Sequence, residues 1–222
     1  MNIFLTGATG FVGAELIQSL AKDAQKQFYV LYRSEQKKDQ LLNKLNPSYH
    51  SRIHFINGDI TEVLCGVSES DIETIPQIDK FYHLAALVKF NFELADDLYQ
   101  INYIGTQHAL DLAEHIQTKH FLYVSTAYTV GEQERGNEVL HSIDSPTNNP
   151  YEATKIKAEH IVMQRKTMAT SIIRPAIIIG DSVTGEADSN FTLYGFMKAL
   201  KVFKRRVEKK KDHAIYRLFG DA

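Results

Sequence analysis

With 222 residues, the chain is long enough for one large domain, or for a domain with a small partner. Its hydrophobic fraction of 44% and charged fraction of 23% are ordinary for globular proteins, and no apolar run predicts a membrane-spanning helix. The single cysteine, Cys65, excludes an internal disulfide framework, and the nine histidines show no metal-ligand spacing. No basic region precedes the short N-terminal apolar run, so no signal peptide is predicted and a cytoplasmic location is expected.

Short apolar strands alternate with helical patterns along the sequence. The predicted strands cover residues 3–5, 28–32, 53–56, 80–84, 121–124 and 170–174, and the predicted helices cover residues 12–24, 35–45, 95–116, 151–165 and 198–211. This alternation is typical of an α/β protein, with a doubly wound parallel sheet of Rossmann type and helices on both faces. In such sheets, ligands bind beyond the carboxyl ends of the strands, where the strand order reverses.

Three glycines follow the first strand at intervals of three residues, within Thr6-Gly7-Ala8-Thr9-Gly10-Phe11-Val12-Gly13. Gly7 makes the turn, Gly10 lets a pyrophosphate approach the backbone, and Gly13 lets the helix lie close to the strand. The helix then offers unpaired N–H groups and the positive end of its dipole to the phosphates. The segment therefore predicts a dinucleotide site, against the alternative of a turn that binds no ligand.

The end of the second strand predicts which dinucleotide binds. Arg33 and Ser34 stand where an acidic residue would favour NAD, and the guanidinium of Arg33 can pair with a 2′-phosphate. We therefore expect NADP rather than NAD. Asp59, followed by Ile60 after the third strand, either accepts a hydrogen bond from the adenine amino group or is a turn residue. A solvated arginine is the alternative for Arg33.

Tyr151 and Lys155 are four residues apart and share one face of a predicted helix. A nearby ammonium would lower the pKa of the phenol, which is otherwise a poor acid or base at neutral pH. Ser125 and Thr126 end the fifth strand, where a hydroxyl can hold a substrate oxygen. Asn102 lies within a helical pattern that does not favour asparagine, and a role in positioning Lys155 would explain it.

Together these motifs resemble the extended branch of the short-chain dehydrogenase/reductase superfamily over about residues 1–185. The resemblance rests on residues 6–13, Asp59, His83-Leu84-Ala85-Ala86, Asn102, Ser125-Thr126, Tyr151 to Lys155, Arg174-Pro175 and Gly180-Asp181-Ser182. It implies that Tyr151 is the acid/base, that Lys155 modulates it and binds the cofactor ribose, that Thr126 holds the reacting oxygen, and that Asn102 supports them. Ala85, Ala86 and Pro175 would line the cofactor groove, in which His83 packs or forms hydrogen bonds.

Within this branch, Tyr32-Arg33 and residues 174–185 look most like the fatty acyl-CoA reductase and thioester reductase group. That resemblance implies NADPH-dependent reduction of an acyl thioester, carried by coenzyme A or a carrier protein, to an aldehyde. The alternatives are a sugar-nucleotide epimerase or dehydratase, a hydroxysteroid-type dehydrogenase, or a non-catalytic NADP-sensing module. No nucleic-acid partner is expected, and a homodimer is a further expectation from the branch.

The resemblance also predicts two domains, a cofactor domain over residues 1–185 and the start of a substrate domain over residues 186–222. Members of the branch typically run well past this length, so the substrate domain is expected to be truncated or reduced. Between Lys198 and Arg217, nine basic residues stand against two acidic ones, within a chain of net charge -2. This basic segment is interpreted as a solvated helix face or as a dock for an acidic carrier or coenzyme A.

Overall fold

The computed structural model describes residues 1–182, 185 and 192–210. Its strands are β1 (Asn2–Thr6), β2 (Gln27–Tyr32), β3 (Ile53–Asn57), β4 (Lys80–His83), β5 (His120–Val124) and β6 (Ala169–Ile173). Its α-helices are α1 (Phe11–Leu20), α2 (Glu35–Lys44), α3 (Glu69–Thr74), α4 (Ala95–Leu98), α5 (Gly105–His115), α6 (Pro150–Gln164) and α7 (Thr192–Lys210). Each predicted strand is therefore present, within two residues of its predicted ends.

Within the described residues, all six strands are parallel and form one sheet in the order β3-β2-β1-β4-β5-β6. The strand order reverses between β1 and β4, which are neighbours in the sheet although β2 and β3 lie between them in sequence. Buried side chains cover both faces, with one core cluster around Phe81 and a second around Phe28. The predicted doubly wound sheet is confirmed, and its crevice lies at the carboxyl ends of β1 and β4.

The segment predicted as a helix over residues 95–116 contains two kinds of helix. Residues Tyr99–Ile104 form a π-helical segment between α4 and α5. Asn102 lies buried in this segment, and its carbonyl accepts a hydrogen bond of 2.6 Å from the hydroxyl of Thr106. The predicted helical pattern is therefore present, with a π-helical segment that the pattern did not reveal. Segments of π-helix are rare and occur often at functional sites, because their extra residue redirects a side chain.

The chain divides into two compact units, Met1–Ala176 and Ile177–Ala222. Helix α7 belongs to the second unit and contains most of the predicted basic segment. Lys211, His213 and Arg217 of that segment lie outside the described residues, as do Val183 and Thr184 of the predicted motif. The predicted domain boundary at residue 185 stays a prediction. In the part of the chain that the structure describes, no helix is both long enough and apolar enough to cross a membrane.

Candidate active site

The turn between β1 and α1 requires glycine at two positions. Gly7 has a φ of 72°, and a Cβ atom there would lie 2.5 Å from the backbone nitrogen of Ala85. A Cβ atom on Gly13 would lie 2.5 Å from the Cα of Ala8. On Gly10, by contrast, a Cβ atom would meet only the carbonyl oxygen of Gly7, at 3.3 Å. Gly7 and Gly13 therefore serve the packing of the protein itself, whereas Gly10 leaves open space above the turn.

This open space is part of a cleft of about 450 Å³ at the carboxyl ends of the central strands. A volume of that size is typical of ligand sites. Nine of the predicted cofactor residues line the cleft: Gly7, Thr9, Gly10, Arg33, Ser34, Asp59, Ile60, Ala85 and Ala86. Lys37, Leu87 and Ile101 also line it and were not among the predicted site residues. The sequence places the charge of Lys37 one turn after Arg33, which indicates a position near the same phosphate. Leu87 and Ile101 are apolar, and their residue types do not indicate a binding site.

Other predicted cofactor residues lie beside the cleft rather than along its wall. Phe11 and Val12 begin α1, directly after Gly10. Pro175 is not among the described residues that line the cleft. Its carbonyl accepts a hydrogen bond of 2.9 Å from the N–H of Ala127, which joins the segment after β6 to the segment after β5. Its predicted place in the cofactor groove stays a prediction.

Arg33 and Asp59 meet at the far end of the cleft. The guanidinium donates a hydrogen bond of 2.9 Å to Asp59 Oδ2, while its side chain remains 71% exposed. Burial alone would raise the pKa of Asp59, but hydrogen bonds from Thr61 and Arg33 outweigh it and hold the pKa below its ordinary value. Ser34 Oγ accepts from the N–H of Lys37 and thereby caps α2. Arg33, Ser34 and Lys37 all line this cleft.

The turn that carries Asp59 has an unusual backbone. Asp59 Oδ1 accepts from both the N–H and the hydroxyl of Thr61, as expected for a turn residue. The Asp59 N–H donates to the carbonyl of Cys65 at 2.7 Å. Leu64 and Cys65 adopt left-handed φ angles of 49° and 58°, which are costly for residues other than glycine. Burial raises the pKa of the Cys65 thiol to about 12.

Tyr151 stands in the first turn of α6, which begins with a reciprocal cap. Asn149 Oδ1 accepts from the N–H of Glu152 at 3.1 Å, and the Glu152 carboxylate accepts from the N–H of Asn148 at 2.7 Å. Pro150 occupies the first helical position, where its missing N–H costs nothing. These interactions fix the start of the helix and with it the backbone of Tyr151.

The phenol of Tyr151 is buried beside two groups from other segments. Its ring contacts the ring of Phe90 edge to face, with centroids 5.8 Å apart. Burial raises the pKa of Tyr151, and the nearby hydroxyl of Thr126 acts in the opposite direction. The predicted lowering of this pKa depends also on the positive charge of an oxidised nicotinamide ring, and it stays a prediction. The phenol is held protonated, in the state from which it can donate.

The ammonium of Lys155 contacts β5. It donates a hydrogen bond of 2.8 Å to the carbonyl of Val124 and lies 4.2 Å from the ring centroid of Tyr123. Burial lowers the pKa of Lys155 to about 7, and the charge of Glu159 acts in the opposite direction. Arg174 holds that carboxylate through two hydrogen bonds. The lysine is therefore close to losing its charge at neutral pH, which weakens the contribution of the ammonium to a lowered phenol pKa.

Replacing Lys155 by Met is expected to stabilise the fold. Below pH 7 the ammonium is charged in both the folded and unfolded chains, so folding bears the full cost of burying it. That cost disappears above the ordinary lysine pKa of 10.5, where both states are neutral. We expect the free energy of unfolding to rise by roughly 2–5 kcal/mol below pH 7, and by much less above pH 10.5. Denaturant titrations measure this difference, with Lys157→Met on the same helix as the control. A Lys155→Met variant that is less stable than the parent at neutral pH would contradict the cost of burying the ammonium.

Asn102 contacts the backbone of Leu87 instead of Lys155. Its Oδ1 accepts from the Leu87 N–H at 2.8 Å, and its Nδ2 donates to the Leu87 carbonyl at 3.0 Å. Nδ2 also lies 3.4 Å from the hydroxyl of Thr154, between Tyr151 and Lys155 in sequence. Asn102 thus connects the cleft wall to α6, and its role in positioning Lys155 stays a prediction.

The fold and the site together define a Rossmann-type domain of the extended short-chain dehydrogenase/reductase class. A sequence family described as "Male sterility protein", an NAD-binding family, matches residues 5–216. The chain belongs to this family.

Two proteins illustrate how this chain is related to others by sequence. It is 31% identical to fatty acyl-CoA reductase 1 of Homo sapiens over an alignment of 222 positions, which covers 80% of this chain. It is 32% identical to a much longer protein, a linear gramicidin synthase of Brevibacillus parabrevis, over 82% of this chain and 4% of that protein. The chain spans 43% of the length of the fatty acyl-CoA reductase, less than half of it.

Two solved structures agree with the fold. The terminal R domain from the myxalamid PKS-NRPS biosynthetic pathway matches with a TM-score of 0.77 and 30% identity, covering 87% of this chain and 53% of that domain. UDP-glucuronic acid 4-epimerase from Bacillus cereus, in complex with NAD, matches with a TM-score of 0.64 and 25% identity, covering 81% of this chain and 57% of that enzyme.

Proposed function

We propose that this chain is the cofactor-binding and catalytic part of an NADPH-dependent reductase that acts on an acyl thioester. The observation that carries the proposal is the cleft above Gly10, whose lining includes Leu87. Phe90, three residues further along the chain, contacts the ring of the buried Tyr151. The named relatives support the reaction class, because they include a fatty acyl-CoA reductase. The R-domain structure supports the same fold for such chemistry.

The cleft has the features that a dinucleotide needs. Gly10 leaves room for a pyrophosphate at the start of α1, where backbone N–H groups have no helical partners. Arg33 and Lys37 line the far end, where they would attract a 2′-phosphate. When bound there, NADPH would supply the hydride for the reaction.

The residues of this chain would act on the substrate carbonyl. The protonated phenol of Tyr151 would donate a hydrogen bond to the carbonyl oxygen, with the hydroxyl of Thr126 beside it, and would stabilise the negative charge that develops there. The thioester carbon gains the hydride, and the oxygen gains the proton of Tyr151. The C–S bond then breaks as the carbonyl re-forms, and the hydroxyl proton passes to the departing sulfur. The products are an aldehyde and a free thiol. Lys155 would turn from Val124 to hydrogen-bond the cofactor ribose.

Arg33→Ala is expected to remove most of a preference for NADPH over NADH. The guanidinium would form charge-assisted hydrogen bonds with the 2′-phosphate, and its loss would also leave Asp59 facing that phosphate. We expect NADPH to bind roughly 10–100-fold more weakly, while the affinity for NADH stays the same. Fluorescence titrations of both cofactors measure this effect. Lys38→Ala is the control, because Lys38 pairs with Glu35. Equal affinities for NADPH and NADH in the parent protein would exclude this role.

The substrate class is tested by a panel assay on the whole protein. The loss of NADPH is followed with long-chain acyl-CoA, carrier-bound thioesters, aldehydes, ketones and sugar nucleotides. We expect turnover with the thioesters and release of one thiol for each thioester reduced. Turnover with sugar nucleotides alone would overturn the proposal in favour of an epimerase or dehydratase.

A further inference from the structure

A buried chain of hydrogen bonds passes through His83 at the end of β4. The hydroxyl of Thr6 lies 2.6 Å from His83 Nδ1, and the hydroxyl of Thr106 lies 3.1 Å from His83 Nε2. Thr106 donates to the carbonyl of Asn102 at 2.6 Å, and the N–H of Ala85 donates to the Thr6 oxygen at 3.3 Å. His83, Thr6 and Thr106 are each at most 1% exposed. The chain of bonds is therefore closed to water.

The donor and the acceptor of each bond in this hydrogen-bond chain can be assigned. The single proton of Thr106 is used on the carbonyl of Asn102, so its oxygen accepts from His83 Nε2–H. His83 Nδ1 is then an acceptor, and the proton of Thr6 points to it. The imidazole is neutral, which agrees with burial and the nearby Lys155 charge lowering its pKa to about 3. His83 is thus fixed as the Nε2–H tautomer by its two neighbours.

The hydrogen-bond chain ends at the loop that follows β4, which forms one wall of the cleft. Thr6 directly precedes Gly7 and holds the N–H of Ala85. Asn102 holds both the N–H and the carbonyl of Leu87. Ala85 and Leu87 both line the cleft. The wall is therefore held at two points, by Thr6 beside the glycine turn and by Asn102 in the π-helical segment, and His83 connects these points through Thr6 and Thr106.

We propose that His83 is a positioning residue, which through Thr6 and Thr106 sets the distance between the glycine turn and the wall at Ala85 and Leu87. This role rests on the proposed function, because the cleft between these two elements is the proposed cofactor site. The ring of His83 packs against the rings of Phe121 and Tyr123, with centroid distances of 5.9 and 5.8 Å. A phenylalanine would fill that space and would remove both hydrogen bonds.

The test compares NADPH affinity with stability in four variants. His83→Phe and Thr106→Val are expected to bind NADPH roughly tenfold more weakly, with KM for NADPH raised and kcat changed less. Leu112→Ala, in the core on α5, is the matched control, and it should lower the melting temperature while leaving NADPH affinity unchanged. His83→Asn should restore part of the affinity, because its Oδ1 can accept from Thr6. If His83→Phe and Thr106→Val lose stability but bind NADPH as the parent does, His83 has only a structural role and the proposal fails.

A second measurement tests the role of His83 independently of the proposed function. It uses the unmodified protein, so it does not depend on the folding of a variant. Nitrogen and carbon NMR shifts of the His83 ring are recorded in the unmodified protein from about pH 5 to about pH 8. We expect a neutral ring with the proton on Nε2 throughout. A ring that titrates in this range, or that carries its proton on Nδ1, would overturn the positioning role. A parent protein with the expected tautomer that binds neither NADPH nor NADH would instead overturn the proposed function.

Discussion

Tyr151→Phe is expected to reduce turnover by a factor of roughly 10²–10⁴, while the affinity for NADPH changes little. Phenylalanine fills the same buried space and keeps the ring contact with Phe90, so the fold of α6 should be unaffected. The variant loses only the hydroxyl that donates to the substrate oxygen. The raised pKa of Tyr151 keeps the phenol protonated, so that it can donate a hydrogen bond to that oxygen.

The measurement is steady-state turnover of the whole protein with an acyl thioester, combined with an NADPH titration of the same preparation. Tyr128→Phe is the matched control, since Tyr128 contacts Phe90 from another segment, with ring centroids 6.0 Å apart. The control should keep most of its activity. A Tyr151→Phe protein that turns over as fast as the parent would remove Tyr151 from the mechanism.

Gly7→Ala is expected to destabilise the fold, whereas Gly10→Ala is expected to weaken the binding of NADPH. Gly7→Ala forces a side chain into a φ of 72° and against the backbone of Ala85, so the protein should lose more than about 2 kcal/mol of stability. Gly10→Ala meets only one carbonyl at 3.3 Å, and the fold should change by less than about 1 kcal/mol. Its methyl group would nevertheless occupy the space proposed for the pyrophosphate.

Gly10→Ala should therefore bind NADPH at least about tenfold more weakly while it stays folded. Denaturant titration and NADPH titration on the two variants separate the fold from the site. A Gly10→Ala protein that is folded and binds NADPH as the parent does would mean that the pyrophosphate lies elsewhere.

The elements that the sequence predicted well are those that local patterns determine. The strand, glycine turn and helix over residues 2–20 depend on neighbours in sequence, and the structure has all three. Helix α1 nevertheless ends at Leu20, before the predicted Ala24. The alternation of strands and helices also predicted the parallel sheet, because consecutive parallel strands require a crossover between them.

The elements that the sequence did not predict depend on contacts between distant residues. Asn102 was predicted to support Lys155, but its side chain binds Leu87, 15 residues away in sequence. Arg33 meets Asp59 across 26 residues, and Thr6 meets His83 across 77. The charge state of Lys155 likewise depends on burial that the helix pattern alone does not reveal. Residue types indicated that these side chains are functional, but not which partners they have.

The most direct test of the account is a crystal structure of the protein with bound NADPH. The account predicts the pyrophosphate against the backbone at Gly10 and the start of α1, the 2′-phosphate beside Arg33 and Lys37, and the nicotinamide ring next to the phenol of Tyr151. A pyrophosphate bound away from Gly10, or a nicotinamide ring out of reach of Tyr151, would contradict it.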